Sequence, residues 1–480
     1  MCVRRIRYEL STCHFSLLNL PSLHKIEQMD DRHRGSQRLE DIQAQLRRLG
    51  VVKGARHLKD SPKVSPTPRP PSPIRLPSTP DLPNFDADLD QIRPLELLLP
   101  GGRLEETTEG ACFILDRVYP VTVGHGAGQL DELLDLSPAA AAVFCRDERL
   151  SDLNFCDFLF LDTETTGLAG AGTLAFMVGV GFYECNAAGD VEALVVRQYF
   201  LRDHGDEPAM LLLLDELLAQ KAGLITFNGR SFDLPLLDNR YLMNRMRSAL
   251  FDLPHIDLLP PSRRLWRNRL GSCALGALEP SLLGVQRSGE DVPGWLIPTL
   301  YYNYLQTGDA RELLRVFYHN RMDMLSMVTL ASRVVRQFDR ADVGDHPIDL
   351  YSLGKWQADL NLIAEAERAL RLAAAGDLPL DLFHQALFQL ASLLKQNGRR
   401  DEAIQVWQQI AATTFESVEA HVELAKHYEW HGCDVARAID WTQQALALVT
   451  SWGRGQRVAL VHDELAHRLA RLQRKNGDAG

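Results

Sequence analysis

Three apolar runs between residues 157 and 201 dominate the middle of the chain. They read FLFLD, TLAFMVGVGFYE and VEALVVRQYFL, and the turn-forming segments GLAGAG and NAAGD separate them. Runs of apolar and β-branched residues between such turns predict strands. The segment EPAMLLLLDELLAQ predicts a helix, and GLITFN predicts a fourth strand. Helical patterns then continue to about Phe338.

The connections between these elements predict a mixed sheet. Consecutive strands joined by short turns must be antiparallel, whereas a strand reached through a helix is added in parallel. We therefore expect an α/β fold over residues 151–340, with helices on both faces of the sheet. Residues 96–150 contain shorter strand-like and helical pieces, ACFILDRVYPV and LDELLDL. They are expected to form a small preamble packed on this domain.

The last third of the chain repeats with a period of 34 residues. LASLLKQNGRRDEAI aligns with LAKHYEWHGCDVARAI, so that Leu390 matches Leu424 and Gly398 matches Gly432. This period, with Gly between paired helices, is typical of tetratricopeptide repeats, which we expect over residues 350–450. Unrelated helical hairpins are the alternative. Residues 451–480 are expected to form a C-terminal helix and tail.

The N-terminal part lacks a pattern that supports a packed core. Residues 1–60 are expected to be poorly structured, apart from an amphipathic helix around RLEDIQAQLRRLG. Residues 61–95 contain SPKVSPTPRPPSPIRLPSTPDLP, whose Pro and Ser content predicts an extended, disordered linker. No recognisable pattern precedes Met29, which is therefore an alternative start to Met1.

Composition predicts a soluble, cytoplasmic protein with two or more domains among its 480 residues. No apolar stretch is long enough to span a membrane, and the N-terminus has no signal-peptide cleavage pattern. Eight cysteines without any CxxC pair argue against a disulfide framework and against a thiolate zinc site. Because the net charge is -11, any nucleic-acid binding must depend on local features.

One such feature is a basic segment between residues 240 and 269, with seven arginines and two aspartates. Within it, RRLWRNR interleaves arginines with Trp266; the candidate phosphate contacts are Arg263, Arg264 and Arg267. Arginine forks bind phosphates, and an indole can stack on a base. The alternative, which this segment alone favours, is a solvated helix face with Trp266 in the core.

Asp162 and Glu164 end the first predicted strand. Side chains two residues apart in a strand point to the same face, so we expect these carboxylates side by side. Such a pair repels itself unless a proton, a basic side chain or a divalent metal intervenes. The nearest downstream basic residue is Arg197.

Two later segments supply further acids. LITFNGRSFDLPLLDNRY places Asp233 at or near the start of a helix, and FYHNRMDMLSMVTLASRVV places His319 and Asp323 on one helix face. In the predicted topology these residues converge beside the central strand. Four acids without enough basic partners would be unstable as a core, whereas two divalent cations with oxygen ligands would neutralise them.

The motifs DTETTG, NGRSFD and HNRMD, in this order, resemble the three exonuclease motifs of the DEDD superfamily, whose fold is ribonuclease H-like. SCALGALEPSLLGV, DVPGW and HNRMD are similar to the YprB-type ribonuclease H-like domain, which often precedes tetratricopeptide repeats. The resemblance covers roughly residues 100–450. It implies a metal-dependent nuclease, most simply an exonuclease that hydrolyses single-stranded or unpaired nucleic acid.

The resemblance also implies residue roles. Two ions, Mg²⁺ or Mn²⁺, would bind at four carboxylates, of which the first bridges both ions. These ligands are Asp162, Glu164, Asp233 and Asp323. Related exonucleases hold the terminal nucleotide with the residues that follow the first acids, here Thr165, Thr166 and Leu168; a tight turn with an inward Leu is the alternative. Asn228 is expected to cap the turn from strand to helix with its side chain and is also a candidate nucleic-acid contact.

His319 departs from the family pattern. DEDD exonucleases with a histidine have four residues between it and the third-motif Asp, and those with a tyrosine have three; this chain has histidine at the tyrosine spacing. Tyr318 would point about 100° away on a helix. We expect a neutral His319 to accept the proton from the attacking water. The departure leaves cleavage direction, and exonuclease or endonuclease action, open.

Two other functions fit the same sequence. One is a non-catalytic adaptor that binds nucleic acid and assembles a complex through its repeats, and the other is a structure-specific endonuclease. In each case the repeats would bind a protein partner, for which the resemblance favours a helicase. The sequence does not distinguish DNA from RNA.

Overall fold

The computed structural model describes residues 93–167, 172–453 and 455–477 of the chain. The predictions for residues 1–60, for nearly all of the Pro-rich linker, for Met29 and for Leu168 lie outside the described residues. The strands are Gly102–Thr107 (β1), Gly110–Pro120 (β2), Gly124–His125 (β3), Gly128–Gln129 (β4), Phe158–Thr165 (β5), Ala175–Cys185 (β6), Val191–Phe200 (β7), Gly223–Thr226 (β8) and His255–Asp257 (β9).

Among the described residues, four α-helices lie before or between these strands, and the rest follow β9. They are Leu95–Leu98 (α1), Ala139–Cys145 (α2), Glu207–Leu218 (α3), Asp233–Met243 (α4), Leu259–Leu270 (α5), Leu275–Leu278 (α6), Ile297–Thr307 (α7), Leu313–Asp339 (α8), Pro347–Asp359 (α9), Ile363–Ala375 (α10), Leu380–Gln396 (α11), Arg400–Thr413 (α12), Glu419–Trp430 (α13), Val435–Thr450 (α14) and Gln456–Gly477 (α15). In the part of the chain that the structure describes, no helix has the length and apolar character needed to cross a membrane.

The central sheet has the strand order β1-β2-β7-β6-β5-β8-β9. β5, β6 and β7 are antiparallel neighbours, and β8 pairs in parallel with β5 after the helix α3, which confirms the predicted mixed sheet. β9 adds a second parallel pairing. Because β5, β8 and β9 run in the same direction, their carboxyl ends lie at one edge of the sheet.

The preamble is continuous with this sheet. β2 pairs antiparallel with β7, and β1 pairs with β2. The register places Asp116 opposite Arg197, and their Oδ1 and Nε atoms are 2.8 Å apart. The nearest basic residue downstream of the acidic pair therefore neutralises a carboxylate in β2.

Alternation along β5 separates two cores. Phe158 and Phe160 pack in one hydrophobic cluster, and Leu159 and Leu161 pack in the other. This is the two-residue period of a strand buried on both faces. The long helix α8 packs against β5, β6 and β7 and contributes side chains to both clusters.

The C-terminal helices pack as consecutive neighbours, α9 with α10, α11 with α12, and α13 with α14. They adjoin the α/β domain through α5, whose Trp266 is buried and donates its indole N–H to Gln337 at 3.0 Å. The alternative expectation for Trp266, a place in the core, is thus the one that the structure supports. Arg264 and Arg269 pair with Asp359 and Asp349 of α9.

Candidate metal centre

Four carboxylates meet at the carboxyl end of β5. Two come from β5 itself, one is the first residue of α4 and one lies on α8: Asp162, Glu164, Asp233 and Asp323. Burial raises the pKa of each of these carboxyls. Repulsion from the neighbouring carboxylates raises the pKa values of Asp162 and Glu164 further. The cluster therefore carries more negative charge than its surroundings compensate.

Asp162 is hydrogen-bonded to α8, which is in turn hydrogen-bonded to β7. Asn320 of α8 donates its Nδ2–H to Asp162 Oδ2 at 3.2 Å, and Gln198 of β7 donates to Asn320 Oδ1 at 3.0 Å. Asn320 is completely buried. The hydrogen bond from Asn320 restrains one oxygen of Asp162 before any ligand binds.

Asp233 is held by the backbone of β5. The N–H and the hydroxyl of Thr163 both donate to Asp233 Oδ1, at 3.1 and 2.5 Å. Burial outweighs these hydrogen bonds and raises the pKa of Asp233 to about 6. A Thr between the two β5 acids thus links them to the third acid.

Arg287 lies among the acids and is a residue that sequence reasoning missed. Its Nη2 contacts Asp323 Oδ1, while its Nε and Nη2 bind Glu279 at 2.7 Å each. Glu279 is buried and also accepts a hydrogen bond from Ser326 at 2.6 Å. Arg287 lies 36 residues before Asp323, and the chain between them forms loops and helices whose path the sequence pattern does not reveal.

His319 has two partners at the same nitrogen. Its Nδ1 lies 2.8 Å from Asp291 Oδ1 and 3.2 Å from Arg287 Nη1, and its Nε2 lies 3.5 Å from Asp323 Oδ2. Asp291 requires a proton on Nδ1, whereas Arg287 requires a lone pair there. The shorter contact favours Nδ1–H donating to Asp291, which leaves the Nε2 lone pair directed toward the acids.

Three side chains come close enough to share one cation. Ligand atoms of Glu164, His319 and Asp323 all lie within 4.8 Å of one another. This group includes His319, which was predicted as a base, and does not include Asp162 or Asp233. The carboxylate oxygens suit a divalent cation such as Mg²⁺ or Mn²⁺, whereas an imidazole is more typical of softer divalent metals. Since Arg287 occupies Asp323 Oδ1, a cation would bind Asp323 through its other oxygen.

The turn after β5 has its own hydrogen bonds. Thr165 donates its hydroxyl to the carbonyl of Gly167 at 2.7 Å, and the hydroxyl of Thr166 accepts the N–H of Leu174 at 3.0 Å. These contacts agree with the tight-turn alternative for both threonines. Their predicted nucleic-acid contacts stay predictions.

The sequence predicted that the Asn228 side chain caps the following turn, but the structure does not show this contact among the residues that it describes. The Asn228 backbone is left-handed, with φ of 69°, and Asp257 of β9 accepts the N–H groups of Asn228 and Arg230 at 2.8 and 3.2 Å. The cap therefore comes from a neighbouring strand. Asn228 itself is exposed.

The basic segment is on a different element from the carboxylates. Arg263, Arg264 and Arg267 are exposed on α5, and Arg264 pairs with Asp359 at 2.9 Å. Within the described ranges, none of the three contacts an acid of the candidate centre. Tyr318, the neighbour of His319 in the sequence, accepts a hydrogen bond from the N–H of Ser288.

Comparison with known proteins gives the same fold. Residues 159–335 match a family model described as RNase_H superfamily. The chain is 28% identical over 376 residues to the "Uncharacterized protein YprB" of Bacillus subtilis (strain 168), an alignment that spans 76% of this chain and 86% of the relative. Both matches confirm the ribonuclease H-like and YprB-type resemblance that the sequence motifs predicted, and the family match includes all four acids, which lie on β5, α4 and α8.

Proposed function

From the premise that residues 159–335 form a domain of the RNase_H superfamily, we propose that the protein is a metal-dependent nuclease for single-stranded or unpaired nucleic acid. The observation that carries this proposal is the convergence of four carboxylates with raised pKa values at one sheet edge, two of them buried and two partly buried. An exonuclease is the form that the motif resemblance favours.

The ligand roles follow from the contacts. Glu164, His319 and Asp323 would hold one divalent ion, and Asp162 and Asp233 would extend the ligand set toward a second. The bound metal would supply positive charge for phosphodiester hydrolysis and would make water more acidic. Mg²⁺ and Mn²⁺ both suit the carboxylate ligands.

The protein's own groups complete the proposed chemistry. His319, oriented by Asp291, presents Nε2 as a proton acceptor if it does not bind the metal. Arg287, anchored by Glu279, provides a fixed positive charge beside Asp323. Such preorganised charge stabilises a phosphoryl group without reorganisation during the reaction.

Strand cleavage tests the proposal directly. The 5′-labelled and 3′-labelled single strands of DNA and RNA would be incubated with Mg²⁺ or Mn²⁺ and either the wild-type protein or Asp162→Asn. We expect cleavage only by the wild type, with the ladder of products giving the polarity. Cleavage of a strand blocked at both ends would identify an endonuclease. A wild type as inert as the variant would refute the nuclease proposal.

A non-catalytic adaptor is the second candidate, and the Arg287 contact with Asp323 favours it. An arginine that neutralises Asp323 is one way to stabilise a binding protein without metal. In that case both wild type and Asp162→Asn would bind labelled strands with equal affinity in EDTA, and neither would cleave them with Mn²⁺.

We further propose that residues 350–450 form tetratricopeptide repeats that bind a protein partner, with a helicase favoured by the family resemblance. The paired packing of the helices supports this proposal. A cavity of about 450 Å³ lies among α11, α12 and α13. It is lined by Lys395, Glu423 and Trp407, and the Trp407 indole N–H has no partner among the described residues. We expect the Lys395→Glu variant to lose co-purification of the partner and to retain strand cleavage.

A further inference from the structure

An uncharged stretch with exposed aromatic residues follows the loop of the candidate centre. From residue 292 to residue 307 the chain reads VPGWLIPTLYYNYLQT and contains no charged side chain. Within it, Trp295 is 80% exposed and Tyr302 is 60% exposed. Trp295 is the most exposed aromatic residue among the described ranges. A single exposed ring needs no explanation, but neighbouring exposed apolar groups mark interaction sites.

The spacing of the two residues predicts that their rings lie on the same side of one segment. Trp295 belongs to a 3₁₀ turn, Gly294–Leu296, that leads directly into α7. Tyr302 follows Trp295 by seven positions, which is close to two helical turns or about 10 Å along a helix axis, so we expect the two side chains on the same face. We call this pair the aromatic stripe.

The opposite face of the segment is fixed to the sheet. Ile297 and Tyr301 are buried, and the Tyr301 ring stacks on Phe176 of β6 with a centroid distance of 4.0 Å. α7 also packs against β5 and α8, the elements that carry Asp162 and Asp323. The segment that carries the aromatic stripe is therefore already packed in place before a ligand binds.

The stripe begins next to the candidate centre. Asp291, which contacts His319, precedes Trp295 by four residues, so their backbones cannot be more than about 14 Å apart. Arg315 donates to the Asp291 carbonyl at 3.0 Å and fixes the start of this connection. The backbone of Trp295 is therefore close enough to the candidate centre for a strand bound there to extend to the indole.

We propose that Trp295 and Tyr302 form a stacking platform for the bases of a single strand bound at the carboxylate centre. This inference rests on the proposed nuclease function and extends it to a specific substrate contact. The chemistry explains why the stripe is uncharged: beside an acidic cluster, affinity from phosphate contacts is weak, whereas ring stacking does not depend on charge. Stacking also accepts any base, because every base has a π-face.

Base stacking and phosphate contacts differ in how strand affinity depends on salt concentration. Phosphate contacts release counterions and change the slope of log affinity against log salt concentration, whereas a stacking contact does not. Removal of Trp295 should therefore weaken strand binding by a similar factor at about 50 mM and about 200 mM salt. At about 1–3 kcal/mol for each stacked base, the expected loss is about 5- to 150-fold.

The test measures fluorescence anisotropy of labelled 12-nucleotide strands of DNA and RNA with the full chain in the Asp162→Asn background. Trp295→Ala is compared with Trp295→Phe, which keeps a ring, and with Trp430→Ala, a 60% exposed tryptophan of α13 that lies outside the stripe. We expect loss of affinity in Trp295→Ala, near-complete rescue in Trp295→Phe, no change in Trp430→Ala and an unchanged salt slope. Trp295→Ala should melt at the wild-type temperature, because its side chain is mostly in solvent.

The outcomes separate this inference from the nuclease proposal. Unchanged affinity in Trp295→Ala, or a loss that disappears at the higher salt concentration, would overturn the platform even if the wild type cleaves strands. Loss of affinity with the expected salt signature would support the platform even if the wild type is inert. A wild type that neither binds nor cleaves any strand would overturn both.

Discussion

Single residues of the candidate centre are arranged around an excess of negative charge. The pKa of Asp233 rises from an ordinary value of 3.8 to about 6, and the pKa values of Asp162 and Glu164 rise well above their ordinary values. A raised carboxyl pKa means that the folded state binds protons more tightly than the unfolded state. Without metal, the free energy of unfolding should therefore fall as the pH rises from about 4 through about 6.

Asp162→Asn should stabilise the metal-free protein at neutral pH. The amide removes a partly buried charge and can still accept the Asn320 hydrogen bond. A gain of about 1 kcal/mol or more corresponds to a melting temperature higher by roughly 2–4 °C. The measurement is a thermal melt in EDTA at pH 7.5 and again with Mn²⁺, which should raise the melting temperature of the wild type more than that of the variant. A lower melting temperature for Asp162→Asn in EDTA would contradict the charge excess.

Arg287→Gln tests the missed arginine. Its loss leaves Glu279, whose side chain is 2% exposed, as a buried charge without its partner. Breaking one side of a buried ion pair costs about 3–5 kcal/mol, whereas replacing both partners costs much less. Denaturant unfolding should therefore show a large loss for Arg287→Gln and a partial recovery in the double variant Arg287→Gln, Glu279→Gln. Equal losses in the two would show that the pair does not couple.

At the scale of elements, close approach of α8 to the sheet aligns the centre. A Cβ at Gly179 of β6 would lie 2.0 Å from Asn320 Oδ1, so only glycine allows this helix to lie so near. At Gly181, two residues along the same strand, the nearest atom would be Phe160 Cβ at 3.4 Å. The two glycines thus give a matched pair of substitutions.

Gly179→Ala should lower stability by about 1–3 kcal/mol, because overpacking displaces α8 from the sheet. It should also weaken Mn²⁺ binding, since Asp323 and Asn320 move with the helix. Gly181→Ala should change both quantities little. Melting temperature and Mn²⁺ titration calorimetry of the two variants provide the measurement. Similar metal affinities for both variants would mean that helix position does not set the centre.

At the scale of elements, part of the structure was predictable from the sequence and part was not. The strands β5 to β8 and the acids at their ends were predictable, because apolar alternation and chain connections are local properties. β9 has only three residues, His255–Asp257, too few for a period to appear. Arg287 and Asp291 were not identified as site residues, because their contacts with Asp323 and His319 depend on how a loop folds back onto α8.

At the scale of the whole molecule, the α/β domain and the first C-terminal helix share one hydrophobic cluster. Trp356 of α9 packs between Phe144 and Phe338, with ring centroids 5.5 and 4.7 Å away. Beside this contact, α5 makes two ion pairs with α9 that differ in burial. The Arg269–Asp349 side chains are 21% and 2% exposed, and the Arg264–Asp359 side chains are 54% and 53% exposed.

This difference predicts unequal effects of two arginine substitutions. Arg269→Ala should destabilise the protein by about 3 kcal/mol, because it leaves Asp349 charged and buried. Arg264→Ala should cost less than about 1 kcal/mol, because both partners of that pair are in solvent. Denaturant unfolding of the two variants, followed by tryptophan fluorescence, gives the comparison. If the buried pair holds α9 against α5, Arg269→Ala should also increase proteolysis between α8 and α9. Equal cleavage of the two variants would show that the pair does not hold α9 in place, and would leave the shared aromatic cluster to do so.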